Sequence, residues 1–179
     1  MRTITFSYDC SLPPRRVLEA AHDFTDRRSR VFPAVEAEHF AVHSIADEHA
    51  DVTEGTGTGI GISWERCCYD WSKPGSVTAV VTDSNVYVPG SSWTITAAAA
   101  PQGSRVEMTW ARGFKHTSRG RLFGTAFRLV GRPIFGKYAR KIIDNLETRK
   151  GQRSATNFGQ GTAIRMRAVT STFGVTVDW

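Results

Sequence analysis

Apolar and polar side chains alternate along Thr3–Asp9, which is the period of a strand with one buried face. Ser11, a candidate N-cap, and Pro14 follow this strand and predict the start of a short helix. A second short helix is predicted over Thr25–Val31, because Pro33 disfavours helical geometry in the residue before it. The chain therefore opens with one strand and two short helices.

From residue 36 to residue 114 the pattern becomes that of short strands separated by turn-forming residues. Proline, glycine, asparagine and aspartate cluster at four places where turns are expected, namely Lys73–Gly75, Asp83–Asn85, Pro89–Gly90 and Pro101–Gly103. The candidate strands are Glu36–Ala46, Ala50–Thr58, Ile60–Trp71, Ser76–Thr82, Ser91–Ala99 and Arg105–Phe114. Consecutive strands with such short connections predict an antiparallel sheet.

A long helix is predicted over Ser118–Lys150 from the helical spacing of its apolar residues. The first part of the apolar stripe contains Phe123, Phe127 and Val130, and the second part contains Phe135, Tyr138, Ile142 and Leu146. Pro133 lies between the two parts. A proline inside a helix removes one backbone hydrogen bond and kinks the helix, so a displaced stripe is expected there.

Residues 151–179 are rich in glycine, serine and threonine and show no clear helical period. We expect them to form a loosely attached, flexible tail, with a strand near Ala163–Thr170. The predicted organisation is one folded domain over residues 1–150 and a tail over residues 151–179. A chain of 179 residues is long enough to bury about 70% of its unfolded surface in a single domain.

The composition is that of a folded globular chain, because 40% of the residues are hydrophobic and 11% are aromatic. No apolar run approaches the ~20 residues that span a bilayer, and the first residues lack the apolar core of a signal peptide. Three cysteines, an odd number, do not imply a disulfide framework. These features predict a reduced, cytoplasmic protein.

Charge is distributed unevenly along the chain, whose formal net charge is +6. Residues 1–111 carry 9 basic and 14 acidic side chains, whereas residues 112–179 carry 14 basic and 3 acidic ones. Such a basic segment either binds an anionic partner or keeps an exposed helix face solvated. Arg121, Arg128 and Arg132 cluster opposite the apolar stripe of the long helix, where such a surface would lie.

No motif in the sequence predicts a metal or a cofactor. The glycines of Gly55–Gly61 do not have the GxGxxG spacing of a nucleotide-binding loop, and they indicate instead a strand with bends. His39 and His43 have the spacing of helical metal ligands, but on the predicted strand they lie about 13 Å apart. The adjacent cysteines at 67 and 68 point to opposite faces of a strand and have no second cysteine pair.

The element order β-α-α-β(6)-α, together with small residues that interrupt the terminal helix, resembles the START-like helix-grip fold of the SRPBCC superfamily. The small residues are Gly120, Gly124, Gly131 and Gly136. Over roughly residues 1–148 the chain resembles polyketide cyclases/dehydratases and lipid-transport proteins. The resemblance implies an α+β fold with two short helices after strand 1. A curved antiparallel sheet of about seven strands would wrap around the long C-terminal helix and leave a deep apolar cavity between them.

Strand parity predicts which side chains face that cavity, since alternate residues of a strand share a face. Arg66 and Arg112 share faces with Trp64 and Trp110, and each would meet a carboxylate or carbonyl group or reach solvent at a strand end. His116 is a candidate acid or base, or an exposed loop residue. The predicted ligand-binding residues are Trp64, Arg66, Trp93, Ile95, Met108, Trp110, Arg112, Phe123, Phe127 and Val130.

Three classes of function fit these predictions. The first is a carrier or sensor that binds a hydrophobic small molecule, lipid- or polyketide-like, in the cavity. The second is an aromatase/cyclase or dehydratase whose substrate is attached to an acidic carrier protein docked on the basic helix. The third is a surface binder of nucleic acid or anionic membrane. We rank them in this order, so nucleic acid is the least favoured partner, and whether the protein is an enzyme stays open.

Overall fold

Seven strands form one curved antiparallel sheet in the order β1-β7-β6-β5-β4-β3-β2. The computed structural model describes residues 1–59 and 61–165, with the side chains of residues up to 148. Strand β1 pairs with β7 along its whole length, and β2 to β7 form consecutive hairpins. The strands are β1 (Arg2–Cys10), β2 (Ala41–Ile45), β3 (His49–Thr58), β4 (Gly61–Asp70), β5 (Ser76–Ser84), β6 (Ser92–Ala100) and β7 (Gly103–Arg112). The predicted α+β architecture is therefore confirmed.

Three α-helices accompany the sheet within the described residues: α1 (Pro14–Ala21), α2 (Arg28–Val31) and α3 (Ser118–Arg165). The N-cap of α1 is Pro13 rather than the predicted Ser11. Helix α2 begins later than predicted, because the Asp23 carboxylate accepts hydrogen bonds from the backbone N–H and the hydroxyl of Thr25. This local turn competes with helical geometry at the predicted start.

The segment before β2 is not part of the strand that the sequence predicted over Glu36–Ala46. Ala37–His39 forms a 3₁₀-helix, and β2 covers only Ala41–Ile45. The Glu36 carboxylate accepts hydrogen bonds from the Thr56 hydroxyl and the Gly57 N–H. These bonds to β3 hold the segment against the sheet without extending the ladder.

Helix α3 packs closely on β1 through two of its glycines. A Cβ atom at Gly136 would lie 3.1 Å from the Phe6 ring, and one at Gly131 would lie 3.5 Å from Ile4. The Tyr8 hydroxyl donates a hydrogen bond of 3.0 Å to the Gly136 carbonyl. A side chain at Gly136 would crowd the Phe6 ring of the sheet, whereas one at Gly131 would crowd the Phe127 ring of α3 itself.

The second part of the apolar stripe packs as predicted, with Ile142 and Leu146 buried. In the first part, Phe127 is buried and Phe123 is half-buried, but Val130 is exposed and the next residue, Gly131, is buried in its place.

Helix α3 continues beyond its predicted end at Lys150 to Arg165. Helix propagation adds one backbone hydrogen bond per residue and does not require an apolar stripe, and no proline interrupts residues 151–165. Of the predicted strand near Ala163–Thr170, the first three residues are helical and the rest lie outside the described residues.

The chain divides into two units, Met1–Glu147 and Thr148–Trp179. Among the described residues, no helix is both long and apolar enough to cross a bilayer.

The structure predicts different reactivity for the two adjacent cysteines of β4. Cys68 is exposed, whereas Cys67 and Cys10 are buried, and burial raises the pKa of the Cys67 thiol. We expect an aromatic disulfide reagent at about pH 8 to modify one thiol rapidly in the native protein. Cys68→Ser should abolish this rapid phase, and Cys67→Ala should preserve it. Rapid modification of Cys67 would contradict the orientation of β4.

Candidate functional site

A cavity of about 210 Å³ lies between the concave face of the sheet and α3. Its lining is mostly aromatic and aliphatic, with a few charged and hydroxyl groups. The lining residues are Phe32, Ala34, Val35, Glu54, Gly55, Thr56, Ser63, Trp64, Glu65, Tyr87, Trp93, Met108, Trp110, Arg112, Ile134, Phe135, Tyr138 and Ile142. They come from strands β3, β4, β6 and β7, from α3 and from two connecting loops.

Trp110 of β7 connects the sheet to the helix at the centre of the lining. Its ring lies 5.3 Å from Phe135 and 6.0 Å from Tyr138, both in edge-to-face geometry. Trp93 of β6 is opposite Trp110 in the register of the sheet, and its ring centre lies 5.8 Å from that of Phe32. Such aromatic pairs contribute about 0.5–1.5 kcal/mol beyond their buried area. The aromatic walls are therefore fixed by packing rather than free to collapse into the space.

Two glutamates face the cavity from directly opposite positions, Glu54 on β3 and Glu65 on β4. Opposite residues of an antiparallel pair have Cβ atoms about 4.5–5.5 Å apart, so two unpaired carboxylates there would repel each other. Each glutamate instead binds its own buried arginine. Two ion pairs thus neutralise this wall of the cavity.

The first ion pair joins Glu54 to Arg28, whose side chain is only 1% exposed. Arg28 donates from Nε to Glu54, from Nη1 to the Ala21 carbonyl and from Nη2 to the Tyr69 hydroxyl, at 2.7–2.8 Å. Tyr69 in turn donates to Glu54. Desolvation opposes the charge of Arg28, yet the nearby Glu54 raises the net pKa of Arg28 above its usual value.

The second ion pair joins Glu65 to Arg112 in a two-pronged contact. The Nη1 and Nη2 atoms of Arg112 donate to the two Glu65 oxygens at 2.6 and 3.1 Å. The guanidinium lies 4.4 Å from the centre of the Tyr87 ring. Its Nε atom is buried and makes no hydrogen bond within the described part of the chain. One donor on the cavity lining is therefore left without an acceptor.

Two phenols on the lining are kept neutral by their surroundings. Burial raises the pKa of Tyr138 and of Tyr87, and the Glu54 carboxylate adds to the effect at Tyr138. Both hydroxyls therefore stay protonated at neutral pH and can donate a hydrogen bond to an oxygen atom in the cavity.

The structure brings half of the predicted ligand-binding residues to the cavity. The predicted residues on the lining are Trp64, Trp93, Met108, Trp110 and Arg112. All but Trp64 come from β6 and β7, where alternate residues face inward as the parity predicted. Whether these residues contact a ligand stays a prediction.

Arg66 lies on the opposite face from the one predicted. It is exposed and pairs with Asp51 on the outer surface of the sheet. The inward residues of β4 are of the other parity, as the burial of Cys67 and Tyr69 shows. The prediction took the apolar Ile62 and Trp64 to mark the inward face of β4, but Ile62 is 42% exposed. Because side chains alternate along a strand, an assignment that is wrong by one residue puts every side chain on the wrong face.

The remaining predicted residues do not line the cavity. Ile95 is buried in the main core, and Phe127 is buried between Phe114 and Phe135. Phe123 is half-buried, Val130 is exposed, and the candidate acid or base His116 is exposed as well. Phe123, Phe127 and Val130 precede the part of α3 that borders the cavity, because that part begins at Ile134.

Sequence analysis predicted Arg112 but missed the charged residues Glu54, Glu65 and Arg28. Arg28 lies between Arg27 and Ser29, and each glutamate has a polar residue beside it, Thr53 and Arg66 respectively, so all three look like solvent-exposed residues. A weak signal was available: Tyr138 belongs to the predicted stripe of α3 and has a hydroxyl that needs a partner when buried.

Within the described part of the chain, one cluster of potential metal ligands lies beside the cavity, and its members do not themselves line it. Ligand atoms of Glu36, Glu38 and His39 lie within 4.8 Å of one another. The Glu36 carboxylate already accepts hydrogen bonds from β3, so its role is explained by the fold. We assign no metal to this cluster.

The buried ion pair of Arg28 predicts a large and specific loss of stability. Arg28→Met leaves the Glu54 charge buried without a partner, which should cost about 3–5 kcal/mol in the free energy of unfolding. The double variant Arg28→Met/Glu54→Met should recover most of this loss. The measurement is urea denaturation followed by circular dichroism.

Arg66→Met is the matched control, because it removes an arginine from an exposed ion pair on the same sheet. Its urea midpoint should stay close to that of the unchanged protein. Equal losses for Arg28→Met and Arg66→Met would contradict the buried role of Arg28.

Comparison with solved structures identifies the fold. The aromatase/cyclase Zhui from Streptomyces sp. R1128 superposes with a TM-score of 0.65 at 10% identity, over 86% of this chain and 95% of that chain. A START superfamily protein from Mycobacterium smegmatis superposes with a TM-score of 0.61 at 7% identity, over 84% of this chain and 97% of that chain. The protein TTHA0849 from Thermus thermophilus superposes with a TM-score of 0.66 at 14% identity, over 83% of this chain and 96% of that chain.

Sequence comparison adds nothing to this result, because no protein-family model and no curated protein sequence matches the chain. At such low identity the structural likeness establishes the fold alone. The sheet, the helix packed on it and these superpositions agree: the chain has the START-like helix-grip fold.

Proposed function

We propose that this protein binds a hydrophobic small molecule, lipid- or polyketide-like, in the cavity between the sheet and α3, as a carrier or sensor. The observation that supports the proposal is a preformed cavity of about 210 Å³ with a mostly aromatic and aliphatic lining. Burial of apolar ligand surface contributes about 25 cal/mol per Å². A ligand that buries about 200 Å² would thus gain ~5 kcal/mol before the entropic cost of association.

The volume of the cavity favours a compact ligand. Pockets for drug-sized molecules commonly measure about 300–1,000 Å³, and this one is smaller. One to three fused rings suit the space between the aromatic walls better than a long, extended chain.

Ile134 of α3 supplies an accessible rim to the cavity. Its side chain belongs to the lining and is nevertheless 55% exposed. A ligand would enter beside this residue and then contact Phe135 and Tyr138. Three cysteines, an odd number, do not imply a disulfide framework, and this supports the further proposal that the protein works in a reducing, cytoplasmic compartment.

A neutral fluorescent probe tests ligand binding directly. N-phenyl-1-naphthylamine should bind with a stoichiometry of about one and quench tryptophan emission, because Trp93 and Trp110 line the cavity. Ile134→Asp should weaken binding about tenfold, since it places a charge on the rim. Fluorescence titration measures both effects.

Leu129→Asp is the control, because Leu129 is also exposed on α3 but does not line the cavity. It should leave the affinity unchanged. Absence of saturable binding, or equal weakening by the two variants, would refute the proposed site.

A second candidate function is that of an aromatase/cyclase or dehydratase. The observation that favours it is the presence of Tyr138, Tyr87 and Arg112 on the same lining, since such donors could polarise a substrate carbonyl. A bound polyketone would be held in a folded conformation, and proximity of its reacting carbons would lower the barrier to ring closure.

In this second function, the substrate would arrive on an acidic carrier protein. Residues 108–143 contain no aspartate or glutamate, and Arg121 and Arg128 are exposed on α3. The exposed Leu122 and Leu129 lie on the same helix and would supply apolar contacts within the charged surface.

Charge reversal tests this docking surface. Arg121→Glu/Arg128→Glu should weaken binding of an acidic acyl carrier protein more than tenfold in low salt, and added salt should weaken the unchanged protein's binding. Lys73→Glu, an exposed charge reversal in the turn between β4 and β5, is the control. Surface plasmon resonance provides the affinities, and the same affinity for both variants would refute the surface.

A further inference from the structure

We propose that the cavity selects a neutral ligand that carries a hydrogen-bond acceptor, which the Nε–H group of Arg112 binds, and that it rejects anionic ligands. This inference rests on the proposed binding of a hydrophobic small molecule. It specifies the chemistry of that molecule: a compact ring system with a ketone or similar uncharged oxygen, rather than a hydrocarbon or a carboxylate.

The two buried arginines differ in one respect that points to a ligand. Arg28 uses Nε, Nη1 and Nη2 in hydrogen bonds to three different groups of the protein. Arg112 uses only its two Nη atoms, and its side chain is 4% exposed. Its Nε is a buried donor without an acceptor among the described residues. Buried donors are almost always paired in folded proteins, so this one requires a reason.

The reason lies in where the two arginines are placed. Arg112 lines the cavity and also a second pocket beside Lys115 and Arg121, whereas Arg28 lines neither. We assign the missing acceptor to a molecule in the cavity, because Glu65, which binds the same guanidinium, lines the cavity and not the second pocket. A carbonyl oxygen suits this donor, because hydrogen bonds from a charged N–H group are stronger than those between neutral groups.

The charge of the site argues against an anionic ligand. Glu65 already neutralises Arg112 through two contacts, and Glu54, opposite Glu65 in the sheet, is neutralised by Arg28. An entering carboxylate would lose its hydration and meet two carboxylates with no free positive charge in compensation. A neutral acceptor avoids that loss and still pairs with Nε.

The other donors of the lining strengthen the preference for an oxygen-bearing ligand. Tyr87 lies beneath the Arg112 guanidinium, and Tyr138 lies on α3 across the cavity. Neither hydroxyl makes a hydrogen bond among the described residues. A ring ketone between the aromatic walls could accept from Arg112 while its ring faces pack on Trp110.

Three ligands of nearly equal shape test the inference: fluorene, 9-fluorenone and 9-fluorenone-2-carboxylate. We expect the ketone to bind at least tenfold more tightly than fluorene at about pH 7, although fluorene is the more hydrophobic. The carboxylate should bind at least tenfold more weakly than the ketone. Tryptophan quenching or calorimetry measures the affinities, and the ¹⁵N-detected Nε–H resonance of Arg112 should move with the ketone but not with fluorene.

The variant Arg112→Met/Glu65→Met removes both members of the ion pair with side chains of similar length. It should bind fluorene and 9-fluorenone with equal affinity, because the donor that distinguishes the ketone is gone. If this variant fails to fold, the affinities of the three ligands for the unchanged protein still test whether the cavity prefers a neutral ligand with a hydrogen-bond acceptor.

The outcomes separate this inference from the proposed function. Equal binding of fluorene and fluorenone would overturn the role of Arg112 while leaving a hydrophobic site. Tighter binding of the carboxylate would overturn the exclusion of anions. Failure of all three ligands, and of N-phenyl-1-naphthylamine, to bind would overturn the proposed function together with the inference.

Discussion

The register of β3 and β4 places Glu54 and Glu65 opposite each other on the concave face, where neither can remain charged alone. Arg28 of α2 and Arg112 of β7 supply the two compensating charges. An unpaired buried ion costs several kcal/mol, so α2, the β3–β4 hairpin and β7 have little freedom to move apart. The same requirement makes one wall of the cavity polar but electrically neutral.

The position of α3 determines where the cavity lies. Gly131 and Gly136 allow the helix to approach Ile4 and Phe6 of β1 closely. Toward β3 and β4 the helix instead presents larger residues, among them Tyr138, whose ring rests against that of Trp110. The helix is therefore close to the sheet at β1, while aromatic rings keep it at a distance where Tyr138 meets Trp110. This difference in distance leaves space between the helix and the sheet.

The two buried ion pairs differ in how completely the donors of their arginines are used. Arg28 and its partners form a closed network in which each of the three donor nitrogens of Arg28 has an acceptor, and this network stabilises the fold. Arg112, a residue of the cavity lining, forms an incomplete network, because its buried Nε has no acceptor among the described residues. That difference is the basis of the ligand preference proposed for Arg112.

The sequence by itself determined the order of the seven strands and the three helices up to Lys150, because the periods of strand and helix depend only on neighbouring residues. It predicted strand at Ala37–His39, which forms a 3₁₀-helix, and at the start of Ala163–Thr170, where α3 continues. It also placed Met108 and Trp110 on the cavity side, since β7 alternates regularly. It misplaced Arg66, because the face of β4 was assigned from the apolar Ile62 and Trp64, whereas the buried residues Cys67 and Tyr69 have the other parity. It did not identify Arg28 as buried, nor pair it with Glu54.

Only the tertiary structure decided those pairings. Glu54 follows Arg28 by 26 residues and Arg112 follows Glu65 by 47, so no local pattern connects them. A charged side chain faces inward only when its counter-ion arrives from another element, and that meeting depends on strand register and helix position. Periodicity thus fixes which segments form strands and helices, and long-range charge pairing fixes which polar residues enter the site.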